Sequence, residues 1–127
     1  MRIEHAAMYV NNIDAEKEFF TRYFSASAGE MYSNKNTGFC SYFLGFDGGA
    51  RLELMTAPGL QDMDKPPFRT GFAHLAFSAG SHGEVDALTE RLRADGYAVV
   101  SGPRVTGDGY YESCVLDAEG NRIEITE

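Results

Sequence analysis

A chain of 127 residues, 43% of them hydrophobic, is long enough for one real core and too short for two ordinary domains. Its formal net charge of −8, with Lys and Arg scattered rather than clustered, opposes binding to phosphate backbones and predicts no nucleic-acid partner. No run approaches the roughly 20 apolar residues that span a bilayer, and MRIEHAAMYV has neither a basic leader nor a small-residue cleavage site, so a soluble, cytoplasmic protein with no membrane partner is expected.

Residues 3 to 10, IEHAAMYV, read as a strand. Asn12 then opens a helix in which Ala15, Phe19, Phe20, Tyr23 and Phe24 recur at helical spacing. Gly29 to Ser33, then FCSYFLGF, the turn Asp47-Gly48-Gly49 and RLELM complete a βαβββ module over residues 1–56. In RLELM, Leu52 and Leu54 alternate with Arg51, Glu53 and Met55, so the two sets face opposite sides of a strand. Residues 57–71, APGLQDMDKPPFRTG, hold three of the four prolines and no hydrophobic period, which marks a linker.

Beyond the linker, FAHLAFS reads as a strand. SHGEVDALTERLRADG follows as a helix with Ser81 and Glu84 spaced as a capping box, Val85, Leu88 and Leu92 as its buried stripe, and Gly96 as its stop. AVVSG, YYESCVLD and NRIEIT supply three more strands, so residues 72–127 are βαβββ again. The chain is therefore expected to be α+β: a single domain, 1–127, of two βαβββ modules forming a cupped mixed sheet.

The repeat extends to individual residues. His5 in IEHAAMYV corresponds to His74 in FAHLAFS, a displacement of 74 − 5 = 69, and Glu53 in RLELM corresponds to Glu124 in RIEIT, a displacement of 124 − 53 = 71. Each module thus carries one His in its first strand and one Glu in its last. A lone strand His is more often a satisfied core residue, and a Glu between leucines more often lies on a solvated face. The double coincidence favours a shared role. If the modules pack about a pseudo-twofold axis, His5, Glu53, His74 and Glu124 converge as a mixed N/O ligand set for one divalent first-row metal, such as nickel, zinc, cobalt or manganese.

Paired βαβββ modules with EHAAMYV at the amino terminus, GFAHLAF after the linker and a closing LDAEGNRIEI resemble the vicinal oxygen chelate superfamily, in its glyoxalase I and bleomycin-resistance branch. The resemblance covers essentially the whole chain. It implies that the metal ligands are His5, Glu53, His74 and Glu124, a complete His-Glu-His-Glu set most like that of glyoxalase I, the lactoylglutathione lyase. It further implies a metal-dependent lyase or isomerase on a small α-hydroxycarbonyl or its thiol adduct, with Glu53 or Glu124 moving the proton as general base and acid. A homodimer is implied as well. The other reading is a drug-binding resistance protein of the bleomycin or fosfomycin type, without lyase activity.

Two positions depart from the glyoxalase I pattern. Tyr9 stands four residues after His5, where an Arg commonly grips a carboxylate of glutathione, and Ala57 stands four after Glu53, where an Asn is expected. Tyr9 is thus a substrate-binding position at which a phenol replaces a guanidinium, and poor use of glutathione is predicted. Arg104, in the Gly-rich stretch GPRVTGDG, is a further candidate substrate contact on a loop. Arg51 and Arg122 hold matching positions two before each Glu and read as solvated rim residues. His82, in the first turn of the second helix, reads as exposed and inert. Cys40 and Cys114 lack CxxC spacing and read as reduced thiols without chemistry.

Overall fold

Each half of the chain builds its own mixed sheet around one helix in the computed structural model, which describes all residues from Met1 to Glu127. The division falls within the linker, giving two units, Met1–Met63 and Asp64–Glu127. In the first, β1 (His5–Tyr9) leads to α1 (Ile13–Phe24), then to β2 (Ser27–Ala28), β3 (Tyr32–Ser33), β4 (Cys40–Gly45) and β5 (Arg51–Thr56). In the second, β6 (Leu75–Ser78) leads to α2 (His82–Ala94), β7 (Val99–Val105), β8 (Tyr111–Leu116) and β9 (Arg122–Thr126). The α+β class and the two repeated modules match the sequence expectation, and neither sheet closes into a barrel.

The strand orders are equivalent. The first sheet runs β1-β5-β4-β2, with β3 also on β4, and the second runs β6-β9-β8-β7. In each, the first strand lies at an edge and pairs in parallel with the last, while the other pairings are antiparallel. The register sets Ala7 beside Glu53 in one sheet and Ala76 beside Glu124 in the other.

Alternation fixes which face meets the core. Leu52 and Leu54 are buried with Leu44, Phe19 and Phe20, and Ile123 and Ile125 are buried with Val115, Val85 and Leu92. Each sheet therefore turns its intervening residues, Arg51 and Glu53 or Arg122 and Glu124, to the face away from that core.

Both helices start where the sequence places them. The Asn12 side chain accepts from Ala15 N at 3.1 Å, and Ser81 Oγ accepts from Glu84 N at 3.3 Å. Their buried faces differ in detail from expectation. Ala15 is exposed, and Ile13 and Glu16 join Phe19, Phe20 and Tyr23 on the inner face of α1. On α2 the middle of the buried stripe is Thr89 rather than Leu88. Its hydroxyl donates to Val85 O and meets Ser113 Oγ, each at 2.6 Å, so the helix itself satisfies this buried polar group.

Three strand boundaries also move. Within Gly29 to Ser33 only Tyr32–Ser33, β3, is strand, and a further short strand, β2 at Ser27–Ala28, precedes it; both pair with β4. The strand of FAHLAFS begins only at Leu75, which pairs with Ile123, so Phe72, Ala73 and His74 precede it; Phe72 is 90% exposed. Residues expected in a Gly-rich loop instead extend β7 through Pro103 to Val105, which places Arg104 in a strand opposite Glu112. β7 is an edge strand whose register with β8 breaks between Ser101 and Arg104, and the proline falls in that break.

Candidate functional site

On the open face of the first sheet, His5 on β1 and Glu53 on β5 bring Nε2 and Oε2 to 3.8 Å. The imidazole side chain is 39% exposed and the carboxylate is recessed at 16%. The other ring nitrogen is held: His5 Nδ1 bonds to the Glu4 carboxylate, whose second oxygen accepts from Arg51. The bond to His5, and next that to Arg51, pulls the Glu4 carboxyl below its ordinary range. A proton fixed on Nδ1 leaves the Nε2 lone pair toward Glu53, the tautomer a metal ligand requires. Phe43, opposite Glu53 on β4, packs its ring against His5 at 5.5 Å in an edge-on arrangement, and Arg51 lies 4.3 Å above the same ring.

The second sheet repeats the pair. His74 Nε2 lies 3.0 Å from Glu124 Oε2. Burial pushes the Glu124 carboxyl up, opposed by the nearby His74; Glu112 adds to the rise, while Arg104 and Arg122 act against it. Cross-strand pairing puts Glu112, Cys114 and Leu116 of β8, with Ser101 and Arg104 of β7, on the same face as Glu124. Cys114 is buried and free, and burial raises its thiol against the opposing effect of Arg122, which disfavours the thiolate.

The spacing within each pair can be compared with that of two ligands on one ion. Two ligands sharing an ion at bonds of about 2.1 Å stand about 3.0 Å apart at right angles and about 3.4 Å apart at tetrahedral angles. The 3.0 Å between His74 and Glu124 matches that spacing, as it does an ordinary ion pair, and the 3.8 Å between His5 and Glu53 exceeds it. The four expected ligands are thus grouped as two His–Glu pairs, one in each unit, and no group of three or more His, Cys, Asp or Glu side chains is drawn together to hold an ion.

Tyr9 follows His5 and Ala7 on the open face of the first sheet and is 54% exposed. Arg104 is exposed on β7, with Nε donating to Ser101 Oγ at 3.2 Å. Arg51 is exposed as expected, whereas Arg122 is half-buried. His82 is exposed but engaged: its Nε2 lies 2.9 Å from Glu127 and its ring stacks on Tyr111 at 4.0 Å. Glu4 and Phe43 had no signal beyond an acid next to His5 and an aromatic in a strand. Their roles arise from pairing across 47 and 38 residues (51 − 4; 43 − 5).

Residues 2–125 match the model of the Glyoxalase/Bleomycin resistance protein/Dioxygenase superfamily, and the chain belongs to that family. It is 26% identical over 129 residues to the uncharacterized protein YqjT of Bacillus subtilis, an alignment covering 97% of this chain and 96% of that one. A possible glyoxalase from Bacillus cereus superposes with a TM-score of 0.74 at 26% identity, over 100% of this chain and 99% of the other. A glyoxalase I mutant from Zea mays superposes with a TM-score of 0.81 at 23% identity, which shows the shared fold. The match covers 98% of this chain but only 44% of the maize chain.

Proposed function

We propose that the protein is a metal-dependent, glyoxalase-like lyase or isomerase acting on a small α-hydroxycarbonyl or its thiol adduct, with His5, Glu53, His74 and Glu124 as the ligands of one divalent ion (nickel, zinc, cobalt or manganese). The observation that carries this reading is the occurrence, in each module, of one imidazole Nε2 beside one glutamate carboxylate at equivalent positions of the repeat. A four-ligand centre takes one pair of each kind. Such an ion supplies Lewis acidity, polarising two adjacent substrate oxygens so that the neighbouring C–H becomes acidic. The imidazoles stay in place, His5 through its bond to Glu4, while a glutamate, Glu124 or Glu53, takes the proton from one carbon and returns it to the next.

The protein works as a homodimer in this reading. Both His-bearing segments belong to sheet edges, β1 and β6, and an open edge is stabilised by pairing with another chain. Large apolar side chains in the sequence leading into them, Ile3 before β1 and Phe68 and Phe72 before β6, are 75%, 98% and 90% exposed. Sedimentation at micromolar concentration should give twice 14.0 kDa, and a monomer would refute the dimer.

Tyr9 and Ala57 disfavour glutathione as the thiol. Losing a charge-assisted contact of ~1.5 to 3 kcal/mol predicts one to two orders of magnitude weaker use of the glutathione adduct. The test is turnover of methylglyoxal with glutathione and with other cellular thiols, on protein loaded separately with each metal. Efficient use of glutathione would refute the choice of thiol. Absence of proton exchange at the substrate carbon with every metal, over a broad α-hydroxycarbonyl panel, would replace the lyase with a drug-sequestering binding protein.

A further inference from the structure

The two His–Glu pairs sit in unequal surroundings. His5 lies within β1 in register with Arg51, and Glu4 O accepts from Arg51 N at 3.0 Å, so the backbone at this imidazole is tied to β5. The side chains then close a circuit around it. His5 Nδ1 bonds to one oxygen of Glu4, Arg51 donates to the other, the Arg51 guanidinium lies 4.3 Å above the Phe43 ring, and that ring meets the imidazole edge-on at 5.5 Å. Only Nε2 is left open, facing Glu53 at 3.8 Å.

The second module lacks this circuit. At the 69-residue displacement that relates His5 to His74, Glu4 corresponds to Ala73, and at the 71-residue displacement of the last strands Phe43 corresponds to Cys114. β6 begins only at Leu75, so His74 precedes the strand instead of lying within it. Its polar side-chain contact is with Glu124, at 3.0 Å, on Nε2, and no acceptor holds its Nδ1. At His5, by contrast, the Glu4 carboxylate selects the ring with its proton on Nδ1.

We infer that Glu4, held by Arg51, is a positioning residue that acts through His5 alone and makes the His5–Glu53 pair the preset half of the metal centre. For the metal this rests on the proposed function, whereas the orientation and tautomer of the His5 ring are properties of the metal-free chain. A lone exposed ion pair holds little, because water competes for both partners. Here two restraints act on one ring: Phe43 limits its rotation and Glu4 fixes its tautomer. A ligand oriented beforehand loses less freedom when the ion arrives.

Nitrogen-15 spectra of the imidazoles in metal-free protein at about pH 8.5, where an ordinary imidazole is neutral, read the tautomer directly. Wild type should show His5 in the Nδ1–H form. Glu4→Ala should lose that form and leave His74 unchanged, while Glu4→Gln, whose amide oxygen still accepts from Nδ1, should keep it. Zinc titration of stripped protein then reads the consequence: Glu4→Ala should bind about 10- to 100-fold more weakly, with Glu4→Gln between it and wild type. The same substitution should change nothing in a His5→Ala background and keep its effect in a His74→Ala background. Glu4 is exposed, and the backbone bond from Arg51 does not depend on its side chain, so these variants should fold. A wild-type His5 with its proton on Nε2, zinc affinity unaltered by Glu4→Ala, or an equal loss in the His5→Ala background overturns the inference. A protein that shows the His5 tautomer and its dependence on Glu4 but binds no zinc keeps the positioning role and overturns the metal reading.

Discussion

Asp117 closes the hairpin that delivers β9, and with it Glu124, to the sheet. It is 5% exposed. Its Oδ1 accepts from Glu119 N at 2.9 Å and Asn121 N at 2.8 Å, and its Oδ2 accepts from the Asn121 side chain at 2.8 Å. Replacing Asp117 with Ala strands two backbone donors and one amide in a half-buried turn. At about 1 kcal/mol for each lost bond the change costs about 3 kcal/mol, a large share of a stability of about 5–15 kcal/mol, or roughly 10 °C in Tm. Asp117→Asn keeps the Oδ1 acceptor for both backbone donors, and the Asn121 amide can turn to accept, so its cost should be under about 1 kcal/mol.

The pH dependence separates charge from geometry. Burial pushes the Asp117 carboxyl above its ordinary value of about 3.9, against its bonds to Asn121 and Glu119 and the nearby Lys65. With the folded value above the unfolded one, the folded state binds the proton more tightly. The stability this contributes is full below the unfolded value and is lost as pH rises through the folded value. Urea unfolding followed by circular dichroism should therefore show the wild type losing stability relative to Asp117→Asn as pH rises from about 3.9. An Ala variant within 0.5 kcal/mol of wild type, or a wild type gaining on Asp117→Asn over that range, would refute the reasoning.

Thr89→Val leaves Ser113 Oγ buried without its partner and should cost about 1–3 kcal/mol, while adding Ser113→Ala should recover part of it; simple additivity in denaturant unfolding would argue against the bond. Gly102 has φ +76°, and a Cβ there would collide with Glu112 O and approach Ser113 Cα to 2.9 Å. Gly102→Ala should thus cost at least about 1–3 kcal/mol and loosen β7 and Arg104, lowering amide protection along β7 in hydrogen exchange while α1 is unaffected.

The fold was legible because its signals are local. Alternation in RLELM and RIEIT, the caps at Asn12 and Ser81 and the prolines of the linker each act within a few residues. The repeat then multiplied them by two. What sequence missed depends on partners far along the chain. Glu16 replaces Ala15 on the inner face of α1, and Thr89 replaces Leu88 on α2, because the facing strands decide which side is covered. Arg104 was assigned to a loop on the strength of its glycines and Pro103, yet an edge position lets β7 continue through them. At the site, each His–Glu neighbourhood followed from equivalence of position. The partners of Arg51 emerge only once Glu4, just before β1, and Phe43 on β4 are laid beside β5.

The central claim is that one divalent ion is held by two histidines and two glutamates. Elemental analysis of protein purified without chelators, then titration of stripped protein with nickel, zinc, cobalt and manganese, tests it most directly. The account predicts one ion per chain in the wild type, loss of most of it in His5→Ala and in His74→Ala, and no change in His82→Ala, whose imidazole pairs with Glu127 instead. Metal content unaltered by either His5→Ala or His74→Ala, in variants with the wild-type circular dichroism spectrum, would contradict it.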